Sequence, residues 1–252
     1  MKHEAMPSAV RRLPVADGGP GASVSRAAVR LDGGAGSSFV DRVVVEEPLE
    51  IRVGGVAVAV TMRTPGHDED LAVGFLLTEA VLGARAEIAS VAHVRDPSGR
   101  PLPNVVDVTL VPGAHADPER GKRVFYAASS CGICGKGTID ALRVRTDVLA
   151  APVAGPPVFP PAYLARLPAA MRAAQATWDQ TGGLHAAALF DEKGDLVVLR
   201  EDVGRHNATD AVIGWAALAG RDLSGHALLV SGRAGFEIVQ KCLVVGISVV
   251  AT

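Results

Sequence analysis

Cysteine is scarce in this chain of 252 residues: there are three, too few to staple a small secreted scaffold with disulfides. Aromatic residues make up only 4%, so the core must be built from Ala, Val, Leu and Ile. Neither sign of charge dominates. A net charge of −2 argues against a non-specific nucleic-acid binder, while leaving room for a local basic pocket. No apolar run approaches the roughly 20 residues that cross a bilayer as a helix. No apolar segment follows Arg11-Arg12, so no secretory signal is expected. Together these absences predict a cytoplasmic protein with neither nucleic acid nor membrane as partner. In a reducing compartment an exposed cysteine pair is more often functional than structural.

What is present reads as an ordinary globular chain, with 48% apolar and 21% charged residues. Residues 1–38, rich in Ala, Gly, Pro, Ser and Arg without a sustained period, read as a disordered leader. A β-rich N-terminal lobe is expected over 39–150. Its strands are Phe39–Val45, Leu49–Arg52, Val56–Met62, Ile88–Val94, Val105–Val111 and Arg123–Ala127, with a turn at Gly54-Gly55. Acidic His67-Asp68-Glu69-Asp70 opens a helix reaching about Leu82, and Ile139–Leu149 predicts another. The Pro-rich 150–161 marks the boundary to a C-terminal lobe over 151–252. There, helices are expected at Ala162–Leu167 and Ala169–Trp178, and a hairpin of His185–Phe190 with Leu196–Arg200. Alternation then continues: helix Ala208–Leu218, strand His226–Val230, helix Phe236–Val244 and strand Ile247–Ala251. Such alternation predicts a layered α/β domain.

Chemistry concentrates at Ser130-Cys131-Gly132-Ile133-Cys134-Gly135-Lys136. A C-x-x-C in a glycine-rich loop presents thiols, and Lys136 and a helix start near Thr138 favour the thiolate. Sulfur or redox chemistry, metal binding and a structural clip all fit this spacing. A structural zinc would need four ligands, and a second C-x-x-C is absent. His67-Asp68-Glu69 followed by the cysteine pair is similar to the H-x-E…C-x-x-C pattern of nucleobase deaminases, although Ser130 stands where those carry proline. A zinc-dependent deaminase-like enzyme is therefore a second reading, and a non-catalytic cofactor-binding chaperone a third. The segments 63–66, 181–185, 201–207 and 231–235 each place Gly beside Arg, Thr, Ser, His or Asn near an element end. Ser231-Gly232-Arg233 between strand and helix suits a phosphate. Taken singly, Asp202 and Asn207 read equally as helix caps, and His185 and His206 as hydrogen-bonded structure. Cys242, in an apolar helix, reads as core.

Several of these motifs, in order, resemble the FdhD family. They are Arg63-Thr64-Pro65-Gly66, Gly74-Phe75-Leu76-Leu77-Thr78-Glu79, Ser130–Gly135, Thr181-Gly182-Gly183-Leu184-His185, Arg200–Asn207 and Ser231-Gly232-Arg233. The likeness runs from about Val44 to Thr252. It implies a formate dehydrogenase accessory sulfurtransferase. Such a protein takes sulfur from a cysteine desulfurase as a persulfide on Cys131, with Cys134 as the second catalytic cysteine. It passes the sulfur to the molybdenum cofactor, in its bis-molybdopterin guanine dinucleotide form, for the formate dehydrogenase apo-subunit. The fold implied is a three-layer α/β/α domain resembling the cytidine deaminase fold, with an added N-terminal β-rich lobe. A homodimer is implied, and no tightly held metal is expected. Arg63, Thr64, Gly182, Gly183, His185, Arg205, Asn207, Ser231 and Arg233 become the candidate cofactor-binding residues. Where the family commonly runs from Arg-His-Asn towards a lysine, this chain has Asp210-Ala211.

Overall fold

A computed structural model describes residues 21–32, 35–118 and 159–252. The strands are β1 (Ser23–Asp32), β2 (Ala35–Val44), β3 (Glu47–Val53), β4 (Val56–Arg63), β5 (Ile88–Arg95), β6 (Pro101–Leu110), β7 (His185–Phe190), β8 (Leu196–Asp202), β9 (Ala227–Val230) and β10 (Val249–Ala251). Among the described residues the helices are α1 (Asp68–Thr78), α2 (Pro161–Leu164), α3 (Leu167–Ala174), α4 (Ala176–Thr181), α5 (Arg205–Leu218) and α6 (Phe236–Val244), with a 3₁₀ turn at Arg85–Glu87. The cysteine loop, the strand expected at 123–127 and the helix expected at 139–149 lie outside the described residues.

Three sheets form. β1 and β2 make an antiparallel ladder that pairs Ser23 with Val44 and Asp32 with Ala35. A four-stranded sheet in the order β4-β3-β6-β5 builds the N-terminal lobe, and another in the order β10-β9-β7-β8 builds the C-terminal one. The C-terminal sheet shows why the alternating pattern was readable. Along β7, Ala187 and Leu189 face one hydrophobic cluster with Val212, Ile213 and Ile238, while Ala186, Ala188 and Phe190 face another with Tyr163, Leu167 and Met171. Side chains alternate across a strand with period two, so both faces of this sheet are apolar and both are covered. Helices α5 and α6 cover one face, and α2 and α3 the other. That is the expected three-layer α/β/α arrangement, with a β-rich lobe added.

Helix α1 joins the lobes. All its residues from Leu71 to Thr78 are buried, because the N-terminal sheet covers one side and α5 the other. The two helices approach backbone to backbone. A Cβ on Gly74 would lie 1.8 Å from the Asp210 carbonyl oxygen, and one on Gly214 1.8 Å from that of Asp70. Only glycine permits this approach, and it brings the β4–α1 loop onto the start of α5.

The structure departs from the sequence reading in four places. Part of the expected leader is strand β1, and β2 begins at Ala35 instead of Phe39; β1 has no buried stripe by which it could be read as a strand without its partner. The first helix stops at Thr78 instead of Leu82, followed by Ala80 with a positive φ of 56°. The helix expected over 169–178 is broken at Gln175, whose ψ of 75° ends α3 before α4 begins. Finally, α5 begins at Arg205 and not Ala208, so Arg205, His206 and Asn207 form its first turn.

Candidate functional site

Strands β8 and β9 both run antiparallel to β7 and therefore end at the same edge of the sheet. Each leads directly into a helix: β8 through Val203-Gly204 into α5, and β9 through 231–235 into α6. Two helix N-termini, with their positive dipole ends, thus lie side by side beyond the carboxyl ends of parallel strands. This is the usual ligand crevice of an α/β sheet and one that suits anions. β7 starts at the same edge, where His185 pairs across the ladder with Asp202.

His185, Arg205 and the Ser231-Gly232 turn converge there. A Cβ on Gly232 would meet Arg205 Cδ at 2.9 Å and His185 Nδ1 at 3.4 Å, so the glycine lets both side chains close over the turn. Ser231 is anchored at the sheet end: its N–H donates to the Ala186 carbonyl and its Oγ accepts the Ala186 N–H, each at 2.9 Å. Burial, and then the Arg205 charge, lowers the His185 pKa below its ordinary value of 6.5, which favours a neutral imidazole at pH 7. Arg233 stands exposed on the same turn. A neutral ring, two guanidinium groups and two helix N-termini suit a phosphate-bearing ligand.

Thr64 and Asn207 meet at a second centre beside the first. Asp202 Oδ2 accepts the Thr64 N–H at 2.9 Å, and Oδ1 accepts the Gly204 N–H at 2.8 Å and Asn207 Nδ2 at 2.9 Å. Asn207 also donates to the Met62 carbonyl at 2.7 Å, and the Val203 N–H donates to Thr64 Oγ1 at 3.2 Å. The α5 N-cap is Gly204, which has no side chain to cap the helix with; Asp202 holds its N–H instead. Burial pushes the Asp202 carboxyl up to about 7, against the opposing pull of the Gly204 and Thr64 N–H groups, Asn207 and Arg63.

The remaining sequence candidates lie apart from this edge or are already engaged. Arg63 is 1% exposed and makes a bidentate pair with Asp68, Nε–Oδ1 and Nη2–Oδ2 both 2.9 Å. Its Nη2 also reaches the Pro103 carbonyl and Asn104 Oδ1, each at 3.1 Å. Its donors therefore face protein, and it orients the loop that carries Thr64. Gly182 ends α4 in the left-handed region with a φ of 67°, and a Cβ on Gly183 would crowd Val44 at 3.2 Å. Gly182 turns the chain, and Gly183 seats the loop before His185 against β2. Cys131 and Cys134 lie outside the described residues. A cleft of about 490 Å³ borders Arg63, but its lining of Glu47, His67, Asp68, Glu69, Asp70 and His93 is acidic and disfavours an anion. Among the described residues no group of three His, Cys, Asp or Glu side chains is arranged to hold a metal ion.

Sequence reasoning missed the buried polar joint under the site. Lys241 of α6 reaches Thr78 Oγ1 at 2.9 Å, Glu79 Oε1 at 3.0 Å and Asp210 Oδ2 at 2.9 Å, while Thr78 Oγ1 donates to Asp210 Oδ1 at 2.8 Å. Burial disfavours the Lys241 charge, but Asp210, Glu79 and Glu237 outweigh it and raise the lysine above its ordinary value. Burial also pushes Asp210 up to about 6 against the attraction of Lys241. A lysine in the apolar run 238–245 was the available signal. The Arg200–Asp70 pair was missed as well; Nε and Nη2 both reach Asp70 Oδ2, at 2.9 and 2.7 Å, and tie β8 to α1.

Comparison with known proteins shows the family. Residues 44–252 match the model of the FdhD/NarQ family. A protein named sulfur carrier protein FdhD from Mycolicibacterium paratuberculosis is 49% identical over 90% of this chain and 84% of its own length. One of the same name from Streptomyces avermitilis is 49% identical over 90% of this chain and 81% of its own. A third, from Anaeromyxobacter dehalogenans, is 44% identical over 92% and 82% respectively. In fold, the chain is similar to a crystal structure from Desulfotalea psychrophila described as a formate dehydrogenase accessory protein. The TM-score is 0.67 over 91% of this chain and 83% of that one, at 23% identity. The matched span takes in every motif residue considered above, from the Arg63 loop through both cysteines to Arg233, and the chain belongs to the FdhD/NarQ family.

Proposed function

We propose that this chain is a sulfurtransferase of the sulfur-carrier type, serving a formate dehydrogenase. The Cys131 thiolate attacks the terminal sulfur of a persulfide on a cysteine desulfurase. The S–S bond to the desulfurase breaks, its thiolate leaves, and Cys131 becomes the persulfide. That sulfur passes to the molybdenum cofactor, as bis-molybdopterin guanine dinucleotide, before the cofactor enters the formate dehydrogenase apo-subunit. Cys134 is the second cysteine of the transfer motif. The observation that carries this reading is 49% identity, over 90% of the chain, to a protein named as a sulfur carrier, in a chain that keeps Cys131 and Cys134 at C-x-x-C spacing.

The site geometry supports the substrate half. A guanine dinucleotide presents diphosphates, which fit the paired helix N-termini, and His185, Arg205, Ser231 and Arg233 supply donors around them, while Asn207, whose amide hydrogens go to Met62 and Asp202, shapes the rim. Thr64 adds its backbone position, and Arg63, Gly182 and Gly183 set the loops. No resident metal is part of this scheme. The reading includes a cytoplasmic location and a homodimer. Val29, Leu31 and Val40 on the β1–β2 ladder are exposed at 61%, 77% and 74%, an apolar face of the kind a second copy would cover.

Intact-mass spectrometry after incubation with a cysteine desulfurase and cysteine tests the proposal. One added sulfur atom is expected, removed by reductant and absent from Cys131→Ala. No added sulfur on the native chain, or an unchanged gain on Cys131→Ala, would overturn it. Cofactor binding without sulfur uptake would make the protein a chaperone instead.

A further inference from the structure

We propose that Asp202 is a positioning residue for the ligand site: its carboxylate locks the loop 61–67 onto the first turn of α5, so that Thr64 and Asn207 form one surface with His185 and Arg205. The inference rests on the reading above for the nature of the ligand, but not for the lock itself.

The two carboxylate oxygens have different tasks. Oδ1 serves its own loop, accepting from Gly204 and Asn207, while Oδ2 reaches the other lobe and accepts the Thr64 N–H. A purely local turn would use one oxygen. Further bonds close a ring around this contact. Asn207 Nδ2 holds the Met62 carbonyl at 2.7 Å, Thr61 Oγ1 lies 3.3 Å from Asn207 Oδ1, and the Val203 N–H meets Thr64 Oγ1 at 3.2 Å. Asn207 is thus oriented by Asp202 on one side and by the loop on the other. Both guanidinium groups nearby have other tasks, since Arg63 is bound to Asp68 and Arg205 lies over Gly232.

Every partner that Asp202 has among the described residues is a donor, which favours its charged form; burial opposes it. The charged and titratable groups around it are Arg63 at the end of β4, His185 across the ladder on β7 and Arg205 on α5. Its neighbour Glu201 is turned away, accepting the N–H groups of Thr177 and Trp178 at 2.8 Å each. Asp202→Asn preserves shape but has only one acceptor oxygen. With that oxygen kept toward Gly204 and Asn207, its amide NH₂ would oppose the Thr64 N–H. The local turn then survives while the contact between lobes is lost.

The test uses the full chain and two readouts. Amide hydrogen exchange, corrected for intrinsic rates, is followed across pH 5.5–8.5, and guanosine diphosphate is titrated calorimetrically over the same range. Local opening of 61–67 takes the Thr64 donor away while Asp202 stays buried. In the native chain, protection of 61–67 is therefore expected to rise with pH as the carboxylate forms, opposite in sign to global unfolding, which returns the carboxyl to water. In Asp202→Asn, exchange of that segment should be faster by about tenfold and independent of pH, as for the loss of a hydrogen bond to a charged group. The interior of α5 should keep its protection. Guanosine diphosphate affinity should fall by a similar factor and lose its dependence on the same titration. Unchanged loop protection in the variant overturns the proposal, as does unchanged affinity with an unchanged pH profile. If the native chain binds no guanosine diphosphate, the substrate reading fails, and the exchange data alone decide for or against the lock. Should the variant not fold, a flat pH profile of 61–67 in the native chain still overturns the proposal.

Discussion

Among the polar contacts that connect the α1 side of the molecule to the C-terminal lobe, the Lys241 and Asp202 joints are built on opposite principles. At Lys241, opposite charges are matched: one ammonium faces Asp210 and Glu79 at 2.9–3.0 Å and Glu237 at 3.9 Å. At Asp202 a single carboxylate is held by neutral donors, with Arg63 contributing from a distance. Charge pairing fixes Lys241 as protonated across the physiological range, so that joint is a permanent weld. Neutral donors offset burial only in part, so Asp202 titrates near neutrality. The weld lies beneath the site and the titratable contact lies in it, which is where adjustable geometry is useful.

Breaking the weld should have the largest effect. Lys241→Ala strands buried carboxylates and is expected to cost about 3–5 kcal/mol of stability, read as a lowered urea midpoint. An Asp202 substitution should cost less, because its loop borders solvent.

Gly214→Ala strikes both joints together, since α5 carries Asp210 of one and Asn207 of the other. The added methyl would meet the Asp70 carbonyl oxygen at 1.8 Å, so the helices must part, at a cost of about 1–3 kcal/mol or more. Thermal unfolding reads this directly. A neutral result would mean that the helix crossing does not set the joints.

A pH series sharpens the contrast. The Asp202 carboxyl stands at about 7 in the folded chain against an ordinary 3.8, so between those values the native state holds a proton that the unfolded state has lost. Its contribution is complete below about pH 4 and is lost as pH rises through 7, which tilts unfolding free energy downward across that interval. Asp202→Asn should remove this component of the slope. An identical slope in the variant would assign the titration elsewhere.

The smallest stability effect is expected at Arg205→Gln, whose side chain only half buries at the rim. It should leave the melting temperature nearly unchanged while weakening guanosine diphosphate binding several-fold. Equal loss of stability would make Arg205 part of the frame.

Much of this was legible in the chain itself. The continuous apolar runs of His185–Phe190 and Ala227–Val230, each bounded by glycine-containing turns, identify buried strands because both faces of a covered sheet must be apolar. The alternation of strand and helix from 185 onward predicts the layered domain. Strand β1 was not legible, because a two-stranded ladder with an exposed face has no buried stripe to read. The start of α5 was misplaced by three residues, since Gly204 supplies the N-cap and offers no side-chain signal. Arg63 was read as a ligand because guanidinium beside glycine suits phosphate, yet its actual partner, Asp68, lies only five residues on.

The residue sequence alone determined the fold class, the order of its elements and which turns carry polar groups, because these follow from local periodicity and backbone permissiveness. It could not determine which polar groups share a centre. Thr64 meets Asp202, and Lys241 meets Asp210 and Glu79, only because Gly74 and Gly214 let two helices touch along their backbones. That contact joins residues 138 positions apart at the first centre and up to 163 at the second. Pairing at such distances is decided by packing, and packing belongs to the tertiary structure.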